Sequence, residues 1–387
     1  MLVQIKSRFG GVASVESRRV CMRFLMLNWR DPGNPLSGGA ERVSLGYLSA
    51  LARRGHVVYW YANGFEGGDS SAVYDGVRVV RGGGIGVSIL RARRWLRSQQ
   101  RFDLVIDQHH GIPWFAPWWA GTTTVAYVHE VLGPIWNSFY SWPVAMIGCW
   151  QEALMLRLYR AIPFWTACRS TEDLLRRHGV RRITRIPYGV ATKVVDPLPD
   201  KRMTEPLRLV VVSRLAPNKR IDHAIEAIEV LRRRGVAAEL TIVGGGEAEG
   251  VLKARVSRSR LGDVVSFAGT LSEEEKDALL TSSHLLLHTS VREGWGLNVV
   301  EANCKGTPAV VYPVPGLVDS TLHERTGIVA LREDPEALAD GVQRMAAEPT
   351  LYDSCRSAAW HRSVSFHWDQ VLPAACDWLE SLAGKGG

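Results

Sequence analysis

The sequence predicts an α/β protein made of two doubly wound, parallel-sheet domains. Three observations carry that prediction. The chain has 387 residues, more than one ordinary core needs and about right for two. Short apolar runs of strand length alternate with stretches of helical periodicity, the pattern of βαβ units whose sheet is covered on both faces. That alternation runs twice, on either side of a polar stretch with three prolines at 191–206.

Each element has its own signal. RFLML (Arg23 to Leu27) reads as a buried strand. In SGGAERVSLGYLSALARRGH, Val43, Tyr47, Leu48 and Leu51 share one helical face, and Gly55 fits the stop. HVVYWYA, LVID and TVAYVH continue the first run of strands. LRLVVVS opens the second run, followed by the helix IDHAIEAIEVLRRRG and then the strands LTIV, VSFAG, HLLLH, TPAVV and GIVA. The last segment, HWDQVLPAACDWLESLAG, is amphipathic. The organisation expected is an extension over 1–21, a first Rossmann-like domain over 22–195, a second over 196–365 and a final helix over 366–387.

Composition narrows the function. Hydrophobic residues make up 46% and charged residues 22%, as in a soluble globular chain. The net charge of +8 favours anionic ligands without choosing among them. The six cysteines form no CxxC pair, so neither a zinc site nor a disulfide framework is indicated, and a reducing cytosol suits them. No secretory signal and no bilayer-length apolar run is visible, so a cytoplasmic location is expected.

Four constellations can carry chemistry. The first is EGWGLNVVE, with Glu293 and Glu301 eight positions apart. One reading is structural: a strand, a glycine turn, and a helix capped by Asn298 with Glu301 reaching back. The other is a ligand site. Gly294, Trp295, Gly296 and Leu297 form a turn at a helix N-terminus, where backbone N–H groups and the helix dipole receive phosphate. Glu293 could then grip sugar hydroxyls, and Glu301 could accept two ribose hydroxyls.

The second is SRLAPNKRID. It places Arg214 and Lys219 on one loop at the C-terminal edge of a parallel sheet, a fit for a diphosphate. The alternative is a pair of solvated loop cations. The third is Gly38–Gly39 before the first helix, read either as a tight turn with Ser37 as cap or as a close approach of backbone to ligand. The fourth is His129 after the strand TVAYV, at a sheet edge where sites form. Its neighbour Glu130 reads as structural. His109 and His110 read as residues lining a cleft without a direct chemical role. VGGGEAEG lacks the third glycine of a dinucleotide fingerprint, because Glu249 stands there, so no NAD is inferred. No P-loop and no Asp-x-Asp clamp after a strand is present.

Five blocks in order, PLSGGAERV, YVHEVLGPIW, SRLAPNKRID, EGWGLNVVE and TPAVVYPVPGLVD, resemble the family 4 glycosyltransferases, and EGWGLNVVE matches their E-x7-E motif. The resemblance runs from about Met22 to the C-terminus. It implies the GT-B fold, in which two Rossmann-like domains face a cleft and a C-terminal helix crosses back to the first domain. It implies a retaining hexosyltransferase acting on a nucleotide-diphosphate sugar and a hydroxyl acceptor, with no cofactor and no required metal. By the same resemblance Arg214 and Lys219 hold the donor diphosphate, Glu301 the ribose and Glu293 the sugar. Gly38 and Gly39 lie at the interdomain cleft, and His129 faces the donor sugar. The rival readings are a non-catalytic nucleotide-sugar-binding protein or another enzyme of the fold, such as a sugar-nucleotide epimerase or a glycogen-type phosphorylase.

Ten of the fourteen tryptophans precede Thr166, and the same half carries arginine clusters at 91–101 and 176–185. One reading is a tryptophan-rich core with solvated basic faces. The other is contact with an anionic membrane at the inner face of the cell membrane, with a lipid-linked or cell-envelope acceptor. Basic plus aromatic composition also suits nucleic acid, but no recognition signature supports that partner.

Overall fold

β-Branched and aromatic runs build two sheets in the computed structural model, which describes residues 20–84, 86–109 and 111–385. Most of the extension expected over 1–21 lies outside the described residues, as does His110. The first sheet contains β1 (Arg23–Leu27), β2 (Val57–Ala62), β3 (Ser71–Tyr74), β4 (Val77–Arg81), β5 (Leu104–His109), β6 (Thr123–Val128), β7 (Phe164–Thr166) and β8 (Ile183–Arg185). Their order is β3-β4-β2-β1-β5-β6-β7-β8. Every pairing is parallel except β3 with β4.

That antiparallel hairpin was not among the expected elements, although the sequence marks it. Asp75 and Gly76 form its turn with φ of 47° and 84°, the Asp-Gly geometry that matches strand twist. It closes one edge of the sheet.

The second sheet contains β9 (Leu207–Val212), β10 (Ala238–Val243), β11 (Val265–Gly269), β12 (Leu285–His288), β13 (Ala309–Val311) and β14 (Gly327–Val329), in the order β11-β10-β9-β12-β13-β14. All its pairings are parallel. Its strand order reverses between β9 and β12. In the first sheet the reversal lies between β1 and β5. Loops leaving the C-terminal ends of strands at such a switch point diverge and leave a crevice where ligands bind.

The final helix, Trp368–Ala383, packs on the first domain. Trp368 fills the space over two glycines: a Cβ on Gly46 would stand 2.7 Å from its ring and one on Gly189 2.1 Å. Arg54 pairs with Asp377 at 2.6 Å and Glu380 at 2.8 Å. The crossing is stitched by main chain, with Val190 N–H donating to Phe366 (2.9 Å) and Trp368 N–H to Val190 (3.2 Å). No two cysteines are bridged.

The tryptophans divide. Trp60, Trp114 and Trp165 are fully buried in the first-domain core, so for them the core reading is correct and the membrane reading is not. Trp118, Trp142 and Trp150 are exposed. No helix among the described residues is long and apolar enough to cross a membrane.

Candidate active site

The loops that follow β9 and β12 carry Arg214 with Lys219 and Glu293 with its glycine turn. Strand order makes β9 and β12 neighbours, so two segments about 75 positions apart converge on one cleft. The cleft has a volume of about 1000 Å³ and is lined by both domains. Gly38, Gly39 and His129 reach it from the first, and Arg214, Lys219, Glu293, Gly294, Trp295, Gly296, Leu297 and Glu301 from the second. All eleven residues singled out in the sequence therefore line one cavity.

Glu293 accepts a 2.7 Å hydrogen bond from Lys219 Nζ, with His288 Nε2 at 3.5 Å. Burial alone would raise its pKa, but Lys219 and His288 hold the carboxyl below the usual range. His288 is buried beside Lys219 and is pushed down to about 4, despite the attraction of Glu293. Arg214 stands exposed on the cleft wall with no ion-pair partner among the described residues. A fixed carboxylate–ammonium pair beside an uncompensated guanidinium is a polar wall open to an anion.

Glu301 makes a second pair. It accepts from Lys276 Nζ at 3.2 Å, and Arg42 of the first domain lies 3.6 Å away across the cleft. Burial would lower the pKa of Lys276, but Glu301 and Glu273 raise it, so it stays charged. The capping reading of this segment is overturned. The helix Leu297–Cys304 is preceded by Gly296 at φ 86°, with no side-chain cap. Asn298 lies inside the first turn, and its amide donates to the Val212 carbonyl at 2.8 Å, tying the helix to the end of β9. Glu301 therefore faces the cleft and not its own N-terminus.

Ser37 is not the cap of the first helix either. Gly38 holds that position, and Glu41 folds back to accept from its N–H at 2.7 Å. The Gly38 amide is thus already taken. Gly39 serves a close approach between domains: a Cβ there would stand 3.2 Å from Leu297 Cδ1. Gly294 does the same opposite His129, whose carbonyl oxygen would lie 3.3 Å from an added Cβ. Trp295, expected at the donor, is only 5% exposed and packs on Phe366 at 5.2 Å. It seats the turn in the interdomain core. The VGGG turn closes over the Arg214 loop, since a Cβ on Gly244 would meet the Ser213 carbonyl at 1.9 Å.

His129 is buried, and its Nδ1 is in hydrogen-bond contact with the Tyr188 hydroxyl. His109 also lines the cleft. Glu130, read from the sequence as structural, lines it too, with Arg292 Nε 3.7 Å away. Burial and the nearby Glu293 push its carboxyl up to about 7, against Arg292 and Lys219. Sequence reasoning missed Arg42, Tyr188, Lys276, His288 and Arg292 as cleft residues. Lys276 sits in SEEEKDA, whose local signal is the capping box of Ser272 and Glu275, and that signal hides it. Among the described residues no group of three or more His, Cys, Asp or Glu side chains has metal-holding geometry.

The Glu130 shift has a measurable sign. Its carboxyl binds a proton more readily folded than unfolded, so its contribution to stability is full below about pH 4.5 and is lost as pH rises to about 7. The stability of Glu130→Gln relative to the parent should therefore grow across that window, by about 1–3 kcal/mol. Thermal melts of both proteins from pH 4 to 8 check this. A flat difference curve would show that Glu130 is solvated like an ordinary surface carboxylate.

Comparison with known proteins identifies the family and the fold. Residues 37–194 match the family model described as Glycosyltransferase Family 4, and residues 199–362 match that described as Glycosyl transferases group 1. The chain is 26% identical to glycogen synthase of Mycobacterium tuberculosis over 408 aligned positions, which cover 95% of this chain and 96% of that protein. It is 29% identical over 215 positions, 54% of each chain, to the GDP-mannose-dependent alpha-(1-6)-phosphatidylinositol dimannoside mannosyltransferase of the same species. Among solved structures, sucrose-phosphate synthase from Thermosynechococcus elongatus superposes with a TM-score of 0.76 at 18% identity, covering 94% of this chain and all of that one. Anabaena HepE, solved in complex with UDP and glucose, superposes with a TM-score of 0.70 at 17% identity, covering 93% of this chain and all of that one.

Proposed function

The chain belongs to glycosyltransferase family 4, with the GT-B fold and a nucleotide-sugar-dependent hexosyltransferase activity; from that premise we propose that it transfers a hexose with retention of anomeric configuration and without a bound metal. The observation that carries this reading is the convergence of Arg214 and the Lys219–Glu293 pair on the glycine turn that opens the helix Leu297–Cys304.

In this reading the donor diphosphate lies against Arg214, Lys219 and the amides of the 294–297 turn, which carry the negative charge that develops as it departs. Glu301, held by Lys276, accepts the ribose hydroxyls. Glu293 takes sugar hydroxyls, and His129 faces the sugar from the first domain. The acceptor lies on the first-domain side. Its hydroxyl attacks the anomeric carbon from the face that the phosphate leaves. The bond from that carbon to the phosphate oxygen breaks, a new one to the acceptor oxygen forms, and the acceptor's proton passes to the departing diphosphate. The acceptor is a lipid-linked or cell-envelope glycan met at the inner face of the membrane.

A thermal-shift screen against UDP, GDP, ADP and dTDP, each with and without magnesium, tests the donor site. UDP and GDP lead it because HepE was solved with UDP and the mannosyltransferase relative depends on GDP-mannose. One diphosphate at about 100 times its dissociation constant should add roughly 2.7 kcal/mol, with no need for metal. No shift with any nucleotide would reject the assigned site. An inverted anomer in the product would reject retention.

A further inference from the structure

We propose that the helix Trp142–Tyr159 is a membrane-docking element, and that it sets the mouth of the cleft against an anionic phospholipid surface. The helix is apolar nearly all round. Ala145, Gly148, Glu152, Leu156 and Tyr159 form the buried stripe, at helical spacing. The opposite side is apolar as well, and it faces solvent: Trp142 is 70% exposed, Ile147 65% and Trp150 68%. Val144 and Met146 extend this patch. A helix that is hydrophobic on both sides is normally buried on both, so the outer face calls for a partner.

The charges beside it say which partner. A groove runs along the C-terminal half of the helix, between Trp150, Leu154 and the turn at His178–Gly179. Arg157, Arg160 and Arg177 line it, all exposed and none paired with an acidic residue among the described residues. The one acid of the helix, Glu152, is turned inward. A continuous apolar face with tryptophans, flanked by uncompensated arginines, fits the boundary between acyl chains and anionic headgroups. A second copy of this chain would need to bring acids to that groove.

The helix is also coupled to the cleft. Both Glu152 oxygens accept main-chain hydrogen bonds, from Leu132 and Gly133, each at 2.6 Å. Gly148 lies so close to Trp136 that a Cβ there would stand 2.4 Å from the ring. Leu132, Trp136 and Tyr140 line the cleft, and Tyr140 is itself half exposed at the edge of the apolar patch. Docking therefore brings the acceptor side of the cleft to the bilayer, where the sugar or hydroxyl end of a lipid-linked acceptor is presented. That last step rests on the reaction proposed above; the docking does not.

Cosedimentation with phosphatidylglycerol vesicles and with phosphatidylcholine vesicles tests the proposal. The parent protein should bind the anionic vesicles about tenfold or more tightly, and high salt should erase the difference. Ile147→Glu with Trp150→Glu should weaken anionic-vesicle binding by at least about tenfold. Arg157→Glu with Arg177→Glu should remove the preference for anionic lipid. Both double variants should keep the nucleotide-induced thermal shift of the parent, which shows an intact fold and separates failure of docking from failure of the donor site. No uptake of the parent by phosphatidylglycerol at low salt overturns the proposal. So does a parent dimer that the Ile147/Trp150 variant converts to monomer without any vesicle binding, which would make the patch a contact between copies.

Discussion

Turnover is expected to fall by about 10²–10³ in Arg214→Ala, a loss of roughly 2.7–4 kcal/mol of transition-state stabilisation. Arg214 is exposed in the cleft and uncommitted. Its removal should leave the unliganded fold intact and subtract only from the charge that the departing diphosphate meets. Glu293→Ala should cost at least as much for a different reason. It removes the carboxylate assigned to the sugar and releases Lys219 from its 2.7 Å bond, so the ammonium loses its fixed position. Steady-state kinetics on both variants, with thermal melts to confirm folding, give the measurement. The two should differ in melting: Arg214→Ala close to the parent, Glu293→Ala lower, because a partly buried lysine is left without its counter-charge. Parent-like kinetics in both would overturn the site.

Gly316→Ala should damage the site without replacing any assigned residue. Gly316 adopts φ 82°, and a Cβ there would lie 2.0 Å from the Glu293 carbonyl oxygen and 2.8 Å from its carbon. Neither neighbour is the tip of a flexible side chain. The segment carrying Glu293 must shift, or the 316–320 turn must open and disturb its bonds to the Ser170 hydroxyl and Ser170 N–H. The expected cost is about 3 kcal/mol or more, as left-handed strain adds to a backbone clash. Turnover should fall along with stability. Gly121 supplies the control. It adopts φ 68° with nothing within 4 Å of an added Cβ, so alanine there meets conformational strain alone, about 1–2 kcal/mol. If Gly316→Ala is as stable and active as Gly121→Ala, the close approach does not position Glu293.

Of the fold, the sequence makes legible whatever depends on short-range periodicity. LRLVVVS announces itself as an apolar run because a central strand is buried on both faces, and IDHAIEAIEVLRR by its period because a helix buries one face. The β3–β4 hairpin is marked by turn chemistry instead, at Asp75–Gly76. Turn chemistry likewise marks Gly294 and Gly296.

Much of the site was legible for a related reason. Ligand-binding loops of a doubly wound sheet leave the C-terminal ends of strands, so position made Arg214, Lys219 and Glu293 candidates, and the family resemblance gave them their roles. The pairings between them could not. That Lys219 bonds Glu293, that Lys276 and Arg42 meet at Glu301, and that Glu130 faces Glu293 follow from strand order and domain apposition, which bring together residues 25 to 259 positions apart. Local spacing holds no trace of such contacts. At Asn298 and Glu301 local spacing taken alone suggests a helix cap, but the helix begins at Leu297 and Glu301 pairs with Lys276 and Arg42 instead.

The division at the tryptophans has the same origin. Sequence by itself determined two parallel α/β domains, a cleft at their switch points and the residue types that line it, because periodicity and turn geometry are properties of neighbouring residues. Only tertiary structure decided which tryptophans fill the core and which, on the helix Trp142–Tyr159, face outward. A helix with apolar residues on every side carries no record of the face it will bury; that is set by the Glu152 bonds and the Trp136 contact that hold it to the cleft.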